Sequence, residues 1–180
     1  MIISTKLTGG MLVLLFFMSL LTLFYCFPFN SVNKNLRKTP GLKIFIVATV
    51  WSLLIVVFPI INFTDKLDVS FLIFFVQVLI FVIATIFPFE IRDLNSDCKQ
   101  LRTIPQIIGV KNTKVLGFCL LLIFMILDCI QYIILNFISL KSILINAAIC
   151  LTTFTLILKS KENQSIYFSS FWVESLPILW

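Results

Sequence analysis

Residues 69–87 read VSFLIFFVQVLIFVIATIF, and residues 88–97 read PFEIRDLNSD. The first run carries no charged residue and is close to the roughly 20 residues that cross a bilayer as a helix. The second run reverses that character, with Glu90, Arg92, Asp93 and Asp97 in quick succession. If the helix continues, Glu90, Asp93 and Asp97 fall at i, i+3 and i+7, on one face. Carboxylates beside a membrane are costly and mark a functional candidate. Three on one face repel one another unless a cation sits among them. Mg²⁺ suits oxygen ligands and also takes waters and substrate phosphates.

Outward from this stretch the chain repeats the same apolar theme. Six apolar segments are visible, at about 7–27, 42–61, 69–87, 115–138, 142–158 and 166–180. The last is short and is interrupted by Glu174 and Pro177. Of 180 residues, 60% are hydrophobic and 12% charged, more apolar surface than a soluble domain of this size can hide. The expected fold class is all-α: a polytopic transmembrane helical bundle of about six spans, forming one domain over 1–180, with the lipid bilayer as its partner. Linker 90–114 is expected to be partly helical, continuing from the third span, with Pro105 ending or bending the helix near Ile104.

The net charge of +6 does not indicate nucleic-acid binding. Its cations cluster in short linkers between apolar runs, where they orient a membrane protein. Lys34, Arg37, Lys38 and Lys43 share one linker; Arg92, Lys99, Arg102, Lys111 and Lys114 share another; Lys159 and Lys161 follow the fifth span. With alternating spans these eleven of 14 cations fall on one side, leaving Lys6, Lys66 and Lys141 opposite. The positive-inside rule makes the rich side cytoplasmic, so the acidic linker is inside and the N-terminus outside a cytoplasmic membrane. The absence of His excludes His-based zinc sites and Ser-His-Asp triads. The five cysteines form no CxxC pair and read as small packing residues.

The island Glu90-x-x-Asp93-x-x-x-Asp97, then Lys99 and Arg102, then Thr103-Ile104-Pro105 and Gly109, resembles the second aspartate-rich motif of the UbiA-type intramembrane prenyltransferases. Tyr25-Cys26-Phe27-Pro28, with Arg37, Lys38 and Pro40, is similar to that family's Tyr-x-x-Pro turn and basic loop. The resemblance covers most of the chain and implies part of a nine-helix fold, in which the helix after the motif begins near Val115. The family's first motif, Asn-x-x-x-Asp-x-x-x-Asp, is absent. With the outside N-terminus, this leads us to expect that upstream spans are lacking and that the chain is inactive alone.

The resemblance implies Mg²⁺-dependent transfer of an isoprenoid chain from a prenyl diphosphate to an aromatic acceptor, so the ligand would be a prenyl diphosphate. Residue by residue it makes Asp93, Asp97 and Glu90 metal ligands, and Lys99, Arg102, Arg37 and Lys38 diphosphate contacts. No catalytic residue is assigned. A non-catalytic membrane subunit, pairing with another membrane chain, is the alternative, and a small transporter a third reading. Apart from the motif, Asp128 lies mid-span with Gln131 one turn on. An intramembrane acid is a functional candidate by default. Its bland reading is an inward-facing carboxylate hydrogen-bonded to Gln131 or to a neighbouring helix. Gln77, Asn136 and Asn146 are expected to serve as interhelical hydrogen-bond partners.

Overall fold

The computed structural model describes residues 8–26, 41–61, 68–95, 103–165, 167–173, 175 and 176. Every regular element among them is helical. Helix α1 spans Gly9–Cys26. Helix α2 (Leu42–Ser52) runs through a π-helical turn (Leu53–Val57) into the short α3 (Phe58–Ile60). Helix α4 (Val69–Arg92) ends in a 3₁₀ turn (Asp93–Asn95). Helices α5 (Ile104–Ile133) and α6 (Leu140–Lys159) follow, then a π-helical turn at Phe168–Val173. Four rods are long and apolar enough to cross a membrane: Leu42–Ile60, Val69–Asn95, Ile104–Ile133 and Leu140–Lys159. The apolar stretch of α1, Gly9–Leu23, is shorter. The all-helical class and multi-pass character therefore stand, with four membrane-length rods among the described residues.

Two expectations about helix ends are corrected. The helix after the acidic run starts at Ile104 rather than near Val115, and Pro105 opens it instead of ending it. Proline is tolerated in a first turn, where its missing N–H has no intrahelical partner to lose. Gln106 supports that start, its Oε1 accepting the Thr103 backbone N–H at 3.1 Å. The break comes five residues after Ile104, at Gly109, whose φ of 80° and ψ of 159° leave the helical region. Such a conformation suits glycine, which has no Cβ. Beyond it a second piece of α5 continues to Ile133. Its run ends short of the expected Ile138 because Asn136 takes a φ of 49°. Ser139 then starts α6, its side chain accepting the Ser142 N–H at 3.2 Å.

Burial follows helical periodicity. On α5 beyond Gly109 the buried positions are Thr113, Gly117, Leu121, Phe124, Asp128 and Gln131, spaced by three and four along one stripe. Its reverse face, including Leu122, Ile126 and Ile133, is exposed and apolar, as a lipid-facing surface is. On α4 the buried set is wider, because α4 packs against both α2 and α5 and also touches α6. The core joins Ile80, Phe81 and Ala84 of α4 to Leu121 and Phe124 of α5 and to Ile149, Cys150 and Ile157 of α6. The Phe81 and Phe124 rings lie 5.9 Å apart. Gly117 lets α5 approach closely: a Cβ there would stand 3.1 Å from both Phe87 and Ile157. Buried hydroxyls bond back to their own helices, as Ser52 does to the Ala48 carbonyl at 2.7 Å and Thr153 to that of Ile149 at 2.8 Å.

Candidate functional site

Two polar features interrupt this apolar bundle, one at the C-terminal end of α4 and one in its first half. The first is the acidic end. Because Glu90 shares the inward stripe of α4 with Phe87 and Ile91, its side chain is carried under α2 and is 2% exposed. There Lys43, in the first turn of α2, places Nζ 3.1 Å from Glu90 Oε1. A carboxylate taken out of water needs such a partner. Asp93 sits one turn on, half-buried, and Arg92 grips it with Nε at 2.6 Å and Nη2 at 3.1 Å. The same guanidinium lies 5.5 Å from the Phe89 ring centroid. Arg92 is thus one local partner of Asp93.

The segment after α6 closes this end. Gln164 Nε2 donates to the Pro88 carbonyl at 2.9 Å, and Asn95 Nδ2 donates to Glu162 Oε2 at 3.2 Å. Lys114 Nζ donates to the Leu158 and Ser160 carbonyls, each at 2.7 Å. A cation there meets the orphan carbonyls and negative dipole end of α6. Lys43, Glu90, Asp93, Lys114 and Glu162 therefore gather at one end of the bundle. Asp97, Lys99, Arg102, Arg37 and Lys38 lie outside the described residues. Among the described residues no three acidic or cysteine side chains come together around one point. Glu90 and Asp93 bring oxygen donors, the type that Mg²⁺ takes.

The second feature is a buried polar cluster toward the other end. Asp128, 1% exposed, accepts from Gln77 Nε2 at 2.7 Å and from Asn146 Nδ2 at 3.0 and 3.2 Å. The Gln77 amide also reaches the Phe124 carbonyl at 3.4 Å. Three helices, α4, α5 and α6, thus each contribute one polar side chain to one point. Gln131 does not join them. One turn beyond Asp128 it faces the start of α4, where its Nε2 donates to the Ser70 carbonyl at 3.3 Å. The expected Gln77 and Asn146 bonds across helices are present; Asn136 instead occupies the turn before α6.

Beside this cluster lies a cleft of about 720 Å³ between α2–α3, the start of α4 and the α5–α6 connection. Its walls are Ile55, Pro59, Phe71, Phe74, Phe137 and neighbouring aliphatic side chains, and its polar groups are Ser142 and Asn146. Phe71 and Phe137 meet edge to face at 5.5 Å. The π-helical turn of α2 supplies Ile55 and Val56 to this wall, and such turns are frequent at functional sites. Sequence reasoning found Asp128 but not the cleft, whose lining comes from four separate segments. It also placed Lys43 in a cationic linker without pairing it to Glu90. Helical phase on α4 carried the signal that Glu90 would turn inward. No family model, curated protein or solved structure matches this chain.

Proposed function

We propose that the chain is a multi-pass membrane protein of the UbiA-type kind that binds an isoprenoid diphosphate at the acidic end of α4. The observation that carries this reading is Glu90. It is a carboxylate at the end of an apolar 24-residue helix, 2% exposed, with a neighbouring helix supplying its lysine. Keeping an ion pair there is a poor way to gain stability, since a buried pair roughly offsets its own desolvation. Ligand binding explains its presence better.

Glu90 and Asp93, with Asp97, would hold Mg²⁺, which would neutralise the diphosphate and polarise it as a Lewis acid. Lys43 and Arg92 bring positive charge to the same end, where it would attract the phosphate oxygens. Lys99, Arg102, Arg37 and Lys38 would add cationic contacts from the linkers. The apolar surface of the bundle would accommodate the isoprenoid tail. By the distribution of cations this end would face the cytoplasm. The reading is one of binding, because the family's opposite acidic motif is absent from the sequence.

The test is equilibrium binding of a long-chain prenyl diphosphate to the purified chain in nanodiscs, with and without Mg²⁺. Saturable, Mg²⁺-dependent binding that is lost in the Asp93→Asn/Asp97→Asn double variant is expected. Equal binding by that variant would sink the site assignment. No binding by the unsubstituted chain would leave a non-catalytic scaffold as the better description.

A further inference from the structure

We propose that the seam between α5 and α6, at the end of the bundle where Lys114 meets α6, binds one anionic phospholipid. Its phosphodiester group is held by the ammonium groups of Lys111, Lys114 and Lys161. Residues 103–165 carry four lysines at this end, Lys111, Lys114, Lys159 and Lys161, against one acid, Glu162. The neighbouring cations on α2 and α4 are already paired, Lys43 with Glu90 and Arg92 with Asp93. Lys111, Lys159 and Lys161 are exposed and form no ion pair among the described residues.

Lys114 gives this charge a fixed centre. Its Nζ is anchored on the Leu158 and Ser160 carbonyls, each at 2.7 Å, where α6 ends. An ammonium group has three donors, so one is left for a ligand oxygen. Lys161 lies close enough to repel that ammonium. Two like charges fixed side by side oppose each other unless an anion lies between them. A phosphodiester carries one negative charge shared by two oxygens, and can accept from both lysines.

The apolar side chains beside the lysines select the kind of anion. Lys111, Lys114, Phe118 and Leu122 recur at i, i+3, i+7 and i+11, a stripe on α5 outside its buried one. Phe118 is 40% exposed and Leu122 46%. The Phe118 ring stands 5.0 Å from that of Phe154 on α6, so the stripe follows the seam between the two helices. From Lys114 to Leu122 is eight residues, about 12 Å at helical rise, against about 15 Å for one hydrocarbon leaflet. An acyl chain below the phosphate therefore runs over Phe118 towards Leu122. A soluble phosphate would leave that track bare, and a choline headgroup would add another positive charge to the lysines. The site needs neither Mg²⁺ nor the carboxylates of α4, so it stands or falls separately from diphosphate binding.

The experiment titrates the full chain in detergent micelles, in EDTA, with dioleoyl phosphatidylglycerol or dioleoyl phosphatidylcholine, and counts bound lipid by native mass spectrometry. A juxtamembrane lysine strengthens binding to an anionic lipid about 5-fold. One saturable phosphatidylglycerol is expected, bound about 25-fold tighter than phosphatidylcholine, the contribution of two such lysines. Lys161→Gln should cut that preference about 5-fold, and Lys111→Gln/Lys161→Gln should bring the two lipids to near-equal affinity. Lys141→Gln, which removes the same charge at the other end of α6, should leave the preference unchanged. Millimolar inorganic phosphate should not compete. Equal affinity for the two lipids, equal losses from Lys141→Gln and Lys161→Gln, or displacement of the lipid by inorganic phosphate would overturn the inference.

Discussion

Truncating Asp128 and Asn146 to alanine, singly and together, measures the polar cluster directly. Asp128 takes one contact from Gln77 at 2.7 Å and a two-oxygen contact from Asn146 at 3.0 and 3.2 Å. Of these contacts to Asp128, Asn146→Ala removes the second, whereas Asp128→Ala removes both. Interhelical hydrogen bonds in membrane proteins average about 0.6 kcal/mol and reach about 1.7. Asp128 is buried and Asn146 partly so, and the contact uses both carboxylate oxygens, which places it toward the upper figure. The expected coupling energy is therefore about 1–1.7 kcal/mol, and Asp128→Ala should exceed Asn146→Ala by about 0.6 kcal/mol or more. Reversible unfolding of all four proteins in mixed detergent micelles, followed by circular dichroism, supplies the cycle. A coupling below about 0.3 kcal/mol, within the usual scatter of additive sites, would refute the contact. Equal losses in the two single variants would remove Gln77 from the cluster.

Two further substitutions test packing and charge. Gly117→Ala places a methyl 3.1 Å from Phe87 and Ile157, both fully buried. Overpacking costs about 1–3 kcal/mol and the helix preference for alanine returns about 1, so a net loss of up to about 2 kcal/mol is expected by the same unfolding assay. A gain in stability would show that α4 and α6 stand further from α5 than described. Lys43→Met leaves the Glu90 carboxylate buried without its lysine. It should destabilise by about 1–3 kcal/mol, held below the fully buried range because Lys43 is 48% exposed. Adding Glu90→Gln to it should recover stability. If the double variant is the weaker protein, the ion pair is not what Glu90 is buried for.

The helices were legible because lipid makes a simple demand. A spanning segment must be apolar and must satisfy its own backbone, so long apolar runs mark helices. The second, third and fifth runs coincide with structural elements to within a few residues at most ends. The fourth did not, because its start is encoded by local chemistry and not by hydropathy. Gln106 and Pro105 start a helix ahead of the apolar run, and Gly109 then bends it. At the sites, the sequence singled out Glu90 and Asp128 by their cost in a membrane. Their partners were harder to find. Lys43 is 47 residues from Glu90 and Gln77 is 51 from Asp128, and only the packing of α2 and α5 on α4 brings them together. The cleft had no sequence signal, since aliphatic and phenyl side chains line it as they line the lipid face.

The two polar ties between α5 and α6 have a joint consequence. Lys114 meets the Ser160 carbonyl, and Asp128 meets Asn146. The members of these ties are fourteen residues apart on each strand of the helical hairpin, about 21 Å. In oil, smooth aliphatic rods feel almost no penalty for sliding past one another. A single polar tie would still allow them to pivot. Two ties at matched spacing act like the marks of a vernier: they agree at one axial setting only. The hairpin therefore carries its own ruler. A residue inserted between the marks on one rod would be tolerated only if the other rod were lengthened to match.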